Sequence, residues 1–122
     1  MLKLVFPIRR LPTLSRAEFQ KYWFENHGPL VRRPAGVLGI RRYVQLHTLD
    51  EPLNAVLRES RGTQEAYDGV AELWWDSREA MEQALASPDA QQAARELLED
   101  ERRFIDLPRS ALWLGTEQTI IS

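Results

Sequence analysis

The stretch LSRAEFQKYWFENHGPL, residues 14–30, contains the best-defined helix start in the sequence. Ser15 and Glu18 have the spacing of a capping box, in which each side chain bonds to the backbone N–H of the other residue. Leu14, just before the cap, and Phe19, one turn later, are spaced as a hydrophobic staple that fixes the same end. We therefore expect a helix to begin at residue 16.

One face of this helix is aromatic, with rings that recur at i, i+3 and i+4: Phe19, Tyr22 and Trp23. Gly28 can take the left-handed conformation that ends a helix, and Pro29 cannot continue one, so we predict a helix over residues 16–27. His27 then lies at a helix end beside aromatic rings. Such a histidine can transfer a proton or anchor a ligand. A hydrogen-bonded structural histidine is an equally weighted alternative.

The remaining elements follow from residue periodicity and from helix caps. Strands are predicted over residues 1–9, 40–48, 70–76 and 110–115. Residues 31–39 are predicted to be a loop because they are punctuated by proline and glycine, and Pro52 can open a short helix. Asp76 and Glu79 predict a capping box for a helix over residues 77–86. Ser87 and Pro88 predict the cap and first position of a further helix.

This order is β-α-β followed by β-α-β, which is the split-βαβ pattern of a ferredoxin-like α+β domain with an antiparallel sheet. No linker or low-complexity segment interrupts the chain, so we expect a single domain over residues 1–122.

The third predicted strand is apolar on both faces. Val70 and Trp74 point one way, and Leu73 and Trp75 point the other. Because the helices of such a fold cover one face of the sheet, a second covering layer is needed. Trp113 repeats the pattern in the fourth strand. We therefore predict a homodimer whose two sheets pack face to face.

Composition excludes several classes of function. The chain has no cysteine, and therefore neither disulfides nor a thiolate metal site. It lacks a local histidine pair for a metal, a phosphate loop and a G-x-S-x-G motif. A signal peptide and a membrane-length apolar run are also missing, which predicts a cytoplasmic protein without membrane contact.

Charge is distributed unevenly along the chain. Residues 1–61 carry 11 Lys and Arg against 5 Asp and Glu, whereas residues 62–122 carry 5 against 13. The arginines belong to no recognisable nucleic-acid-binding module, so we expect a solvated surface and no nucleic-acid partner.

Two further polar residues are candidates beside His27. Glu72 is flanked by apolar residues and must be paired, protonated or used by a ligand, with pairing the favoured alternative. His47 shares a strand face with Tyr43. Aromatic side chains also line flat apolar pockets, although core packing is the simpler role for each one. The aromatic candidates for ligand contact are Tyr22, Trp23, Tyr43 and Trp74.

Taken together, these motifs resemble the EthD-like family of the dimeric α+β-barrel superfamily. The matching segments are E18-F-x-x-Y22-W23-x-x-x-H27-G-P-L30, R41-R-Y43-V-Q45, Y67-D-G-V-A-E72-L-W-W-D-S77, S87-P88 through D100-E, and F104-I-D106. The resemblance spans nearly the whole chain. It implies a ferredoxin-like subunit whose homodimer closes a barrel.

The resemblance also implies a function. His27 matches the family's histidine, and Asp68 and Glu72 match its acidic pair; Asp68 before Gly69 otherwise has the chemistry of a turn. Relatives on this scaffold include cofactor-free quinone-forming monooxygenases, isomerases and decarboxylases of catabolic or biosynthetic pathways. We expect a cofactor-free enzyme for a planar aromatic, polyketide or lactone-like ligand. His27 would transfer the proton, and Glu72, on the opposite wall, would orient or relay it.

Two other classes of function remain as alternatives. A non-catalytic ligand-binding or accessory dimer that supports an oxygenase system would bind without forming product. A purely structural dimer would have no pocket. Haem bound through His27 is a minor alternative, because relatives on this scaffold bind haem.

Overall fold

The computed structural model, which describes residues 1–122, contains one four-stranded antiparallel sheet. The strands are β1 (Leu2–Ile8), β2 (Arg42–His47), β3 (Gly69–Trp75) and β4 (Trp113–Thr116). They lie in the order β2-β3-β1-β4, so the first and third strands are central. With the helices, this order gives the predicted ferredoxin-like α+β fold.

The helices connect these strands. They are α1 (Arg16–Tyr22), a π-helical turn (Trp23–His27), α2 (Gly28–Arg32), α3 (Ala35–Leu38), α4 (Pro52–Arg61), α5 (Arg78–Leu85) and α6 (Pro88–Glu101), followed by a 3₁₀ turn (Leu107–Arg109).

The helix start at Ser15 is as predicted, but the predicted helix end is wrong. Glu18 N–H donates to Ser15 Oγ at 3.0 Å, and Ser15 N–H donates to Glu18 Oε1 at 2.9 Å. Gly28 is right-handed, with φ −51°, and the chain remains helical to Arg32. The π-helical turn changes the bonding register ahead of Pro29. The missing N–H of Pro29 then falls in the first turn of α2, where no donor is needed.

The segment 31–39, predicted to be a loop, is also partly helical. A glycine in the left-handed conformation does end a helix here, but it is Gly39 at the end of α3, with φ 74°. A Cβ on Gly39 would meet Ala84 at 2.9 Å, so close packing against α5 adds to the need for glycine.

Serines, and not Asp76, cap the last two helices. Ser77 Oγ accepts from Ala80 N–H at 3.0 Å, because Ser77 has the extended backbone of a cap residue. Asp76 instead lies 3.5 Å from Arg41 Nε. The predicted cap at Ser87 is present, with Oγ accepting from Ala90 N–H at 3.1 Å.

The core lies between the helices and one face of the sheet. Its largest cluster consists of Phe6, Ile8, Phe19, Trp23, Ala71, Phe104 and Ile105. The indole of Trp23 lies against Gly69 so closely that a Cβ at this position would overlap the ring. Trp23 therefore fixes the distance between the π-helical turn and β3.

The other face of the sheet is apolar with charged groups at its centre. The apolar members of this outer face are Val5, Pro7, Val44, Leu46, Val70, Trp74 and Trp113. Lys3 Nζ is 2.9 Å from Glu72 Oε1 and 4.6 Å from the centroid of the Trp74 ring. Trp74 is consequently buried within its own chain, while Leu46 and Trp113 are 58% and 53% exposed.

None of the helices has both the length and the apolar character that crossing a membrane requires.

Candidate functional site

His27 is the last residue of the π-helical turn and points into the core. The wider turn keeps Trp23 and His27, four residues apart, on the same inward face, and both are buried. Gly28 N–H donates to the carbonyl of Trp23, and Gln45 Nε2 donates to the same oxygen at 3.0 Å. This second bond ties the π-helical turn to β2.

Asp100, in the last turn of α6, holds His27 in place. The Nδ1–H of His27 donates to Asp100 Oδ2 at 2.8 Å, and Tyr22 O–H donates to Asp100 Oδ1 at 2.6 Å. A carboxylate can only accept, so the proton of the neutral imidazole lies on Nδ1 and Nε2 is a free acceptor. Burial lowers the pKa of His27 below its usual value, although Asp100 opposes the shift. His27 is therefore neutral at physiological pH.

A cavity of about 270 Å³ lies beside His27, between the helices and the sheet. Its 19 lining residues include 17 hydrophobic ones, and the two others are His27 and Glu101. Nε2 of His27 has no hydrogen-bond partner in the protein, and it keeps some solvent-accessible surface. The cavity thus combines apolar walls with one accessible base, as ligand sites commonly do.

Glu101 supplies a second titratable group to the same cavity. Burial, and then repulsion from Asp100, raise the pKa of Glu101 to about 7. Near neutral pH a large fraction of this carboxyl is protonated and can donate a hydrogen bond. The cavity therefore contains a neutral base and a carboxylic acid. Together they can move a proton and stabilise a ligand oxygen on which negative charge develops.

Tyr43 lies on the cavity wall contributed by β2. Burial raises its pKa to about 12, so it stays a phenol. Its hydroxyl accepts from Gln45 Nε2 at 2.8 Å. The structure brings together three of the predicted site residues, because Trp23, His27 and Tyr43 all line the cavity.

Two of the other predicted ligand contacts lie behind the cavity wall. Tyr22 packs on Phe104, with ring centroids 5.2 Å apart, and supports Asp100. His47 stacks on the far side of Trp23 at 4.8 Å and bonds to Gln45 Oε1 through Nε2. Neither residue lines the cavity.

Glu72 and Trp74 lie on the outer face of the sheet, so the prediction that Glu72 forms the wall opposite His27 is wrong. The β1–β3 pairing sets Leu73 and Trp75 toward the helices, and it sets Glu72 and Trp74 away from them. Glu72 is paired with Lys3, as expected for a half-buried carboxylate.

Asp68 is also remote from the cavity, since it braces the end of β1 and the start of α1. Its carboxylate accepts from Arg10 N–H at 2.8 Å and from Arg16 Nε at 3.0 Å. Burial alone would raise its pKa, but the Arg10 N–H and the two guanidinium groups bring it below the usual value. The geometry therefore assigns Asp68 to an ion-pair network outside the cavity.

Asp100 and Glu101 are site residues that were not predicted from the sequence. Ala94, Leu97 and Glu101 share one helix face by their spacing, and all three line the cavity. The sequence signal that could have identified Glu101 is its position on an otherwise apolar helix face. The structure shows no cluster of three or more His, Cys, Asp or Glu residues that could hold a metal ion.

Comparison with known proteins gives a family match. The family model of the EthD domain matches residues 11–108. No curated protein shows a significant sequence match.

Three solved structures share the fold. An ethyl tert-butyl ether degradation family protein from Bacillus halodurans is 19% identical, with TM-score 0.63, covering 97% of this chain and 99% of that one. SnoaB, a cofactor-independent oxygenase from Streptomyces nogalater, is 20% identical, with TM-score 0.52 and coverage of 99% and 97%. A dimeric ferredoxin-like protein from Thermobifida fusca is 12% identical, with TM-score 0.58 and coverage of 95% and 90%. At these identities the likeness shows a common fold.

The raised pKa of Glu101 predicts a pH-dependent effect of Glu101→Gln on stability. A carboxyl whose pKa is about 7 in the fold and 4.5 when unfolded favours folding below pH 4.5 and loses that contribution as pH rises to 7. The Gln variant should therefore gain about 2 kcal/mol over the wild type between pH 5 and pH 8, in urea denaturation. Glu99→Gln, at an exposed position of the same helix, is the control and should show no such trend. A pH-independent difference for Glu101→Gln would contradict the burial of this carboxyl.

Proposed function

Because the chain belongs to the EthD domain family, we propose that it is a small cytoplasmic enzyme that acts, without a cofactor, on a planar aromatic, polyketide or lactone-like ligand. His27 is the proposed acid–base residue. The observation that carries this proposal is that His27 lines an apolar cavity while Asp100 occupies its Nδ1, which leaves Nε2 free. The description of SnoaB as a cofactor-independent oxygenase supports a reaction of this class.

In the proposed mechanism, Nε2 of His27 removes a proton from a weakly acidic C–H or O–H of the ligand. Asp100 holds the ring and stabilises the imidazolium that forms. Glu101, as a carboxylic acid, donates to the ligand oxygen on which negative charge develops. The resulting enolate can react with dioxygen, as in an oxygenase, or regain the proton at another carbon, as in an isomerase.

The apolar lining also favours this role. Desolvation lowers the pKa of His27, so the ring stays neutral, and therefore available as a base, at lower pH than an ordinary histidine. A flat ligand would lie against the rings of Trp23 and Tyr43, which are part of the cavity wall. A cavity of about 270 Å³ argues against a purely structural dimer, which would fill this space with side chains.

Anthrone, a planar aromatic carbon acid, is a suitable probe of the proposed reaction. Loss of a C–H proton followed by reaction with dioxygen converts anthrone and O₂ into anthraquinone and water. Quinone formation is followed by absorbance, and exchange of the acidic hydrogens with D₂O under argon is followed by NMR. His27→Gln should reduce both rates by about 100-fold or more, because a general base typically contributes that much.

Two variants give the matched controls for His27→Gln. His47→Gln removes the other histidine, which lies behind Trp23, and should leave both rates within about twofold. Asp100→Asn keeps the shape of the site but disturbs the His27 tautomer, so both rates should fall by about tenfold or more. Equal activity of His27→Gln and the wild type would overturn the proposal. Saturable anthrone binding without exchange or product would favour the accessory ligand-binding alternative.

We also propose that the protein is a homodimer formed through the outer face of the sheet. Leu46 and Trp113 are more than half exposed on that face, beside Val5 and Val70. An exposed apolar strip on a sheet is a typical interaction surface. The Thermobifida fusca protein with this fold is described as dimeric.

Leu46→Glu should therefore convert the dimer into a monomer at micromolar concentration, because it places a charge within the apolar strip. Sedimentation velocity measures the change in mass. Val37→Glu is the control: Val37 is 45% exposed on α3, away from the outer face, and the dimer should persist. A wild-type protein that sediments as a monomer would contradict this proposal.

A further inference from the structure

An open groove of about 590 Å³ lies directly beside the cavity, between α2 and the edge strand β2. Val31, Ile40 and Tyr43 line both the groove and the cavity. These shared side chains separate the two spaces by one layer. The groove therefore adjoins the cavity, and a part of the ligand too large for the cavity can lie there.

The groove differs from the cavity in its charge. Three arginines line it, with no carboxylate among the lining residues: Arg32, Arg41 and Arg42. Arg41 lies 3.5 Å from Asp76, and Arg42 lies over the Trp74 ring at 4.7 Å. Arg32 is exposed and makes neither an ion pair nor a side-chain hydrogen bond. One guanidinium group at the rim is thus free to bind an anion.

The interior of the cavity disfavours the charge that the groove attracts. Glu101 is held partly protonated there because burial penalises its anion, and the same penalty would apply to an anionic ligand group. A ligand that uses both spaces would therefore have an uncharged ring system inside and a negative group outside. Phe24, 66% exposed at the groove, offers an apolar surface for the segment between them.

We propose that the ligand of this protein is an aromatic or polyketide-like carboxylic acid whose carboxylate pairs with Arg32 in the groove while its ring system occupies the cavity beside His27. The inference rests on the proposed function, since it concerns the ligand of the same cavity. A planar guanidinium matches a carboxylate through two parallel N–H···O bonds, which favours a carboxylate over other polar groups. Arg32 is accordingly a specificity residue. Because the negative group of the ligand stays in the groove, it also determines which end of the ligand enters the cavity.

A pair of fluorescent probes tests the role of Arg32. The probes are 2-naphthol and 6-hydroxy-2-naphthoate, which share the ring system and the hydroxyl and differ in the carboxylate. The naphthoate should bind the wild type about two- to fivefold more tightly than the naphthol, as expected for an exposed charge pair, and added salt should reduce this preference. Arg32→Gln should abolish the preference and leave the affinity for naphthol unchanged.

Arg33→Gln is the matched control, because it removes the same charge from the adjacent residue. Arg33 lies in a separate depression with Leu30, Pro34, Ala93 and Glu96, outside the groove. This variant should keep most of the wild-type preference for the naphthoate over the naphthol.

The results separate the inference from the proposed function. Equal affinities of the two probes for the wild type, or a preference lost equally in both arginine variants, would overturn the role of Arg32 and leave the cavity and His27 standing. If neither probe binds, the proposed function and this inference are both overturned.

Discussion

The carboxylate of Asp100 is the contact on which the site depends. It accepts from His27 Nδ1 at 2.8 Å and from Tyr22 O–H at 2.6 Å, and so it joins the end of α6 to the helical segment that begins at Ser15. Both oxygens are used within the protein, which leaves Nε2 of His27 as the free atom of the group. The same contact thus serves packing and chemistry.

The sheet fixes the position of the π-helical turn that carries His27. Gly69 allows the indole of Trp23 to lie directly on β3, and Gln45 bonds to the carbonyl of Trp23 from β2. The π-helical turn is consequently held from two sides, and His27 at its end has a fixed position over an apolar cavity. Burial then determines the protonation states of the site, keeping His27 neutral and raising the pKa of Glu101 to about 7.

Local features of the fold were predictable from the sequence, and long-range ones were less so. The capping box at Ser15 depends on residues three apart, so its pattern sufficed. The helix end depended on the π-helical turn, which has no simple sequence pattern. Asp100 bonds to His27 across 73 residues, and no local spacing reveals that pair. Glu72 was assigned to the wrong side because strand alternation separates two faces without showing which face the helices cover.

The proposed chemistry requires a neutral His27 ring whose Nε2 carries no proton. The most direct test is ¹⁵N NMR of the imidazole nitrogens across pH 5 to 8, with His47→Gln used to assign the signals. We expect His27 to carry its proton on Nδ1 and to have a pKa below 6.5. A proton on Nε2 of the neutral ring, or a pKa above 6.5, would rule out His27 as the base.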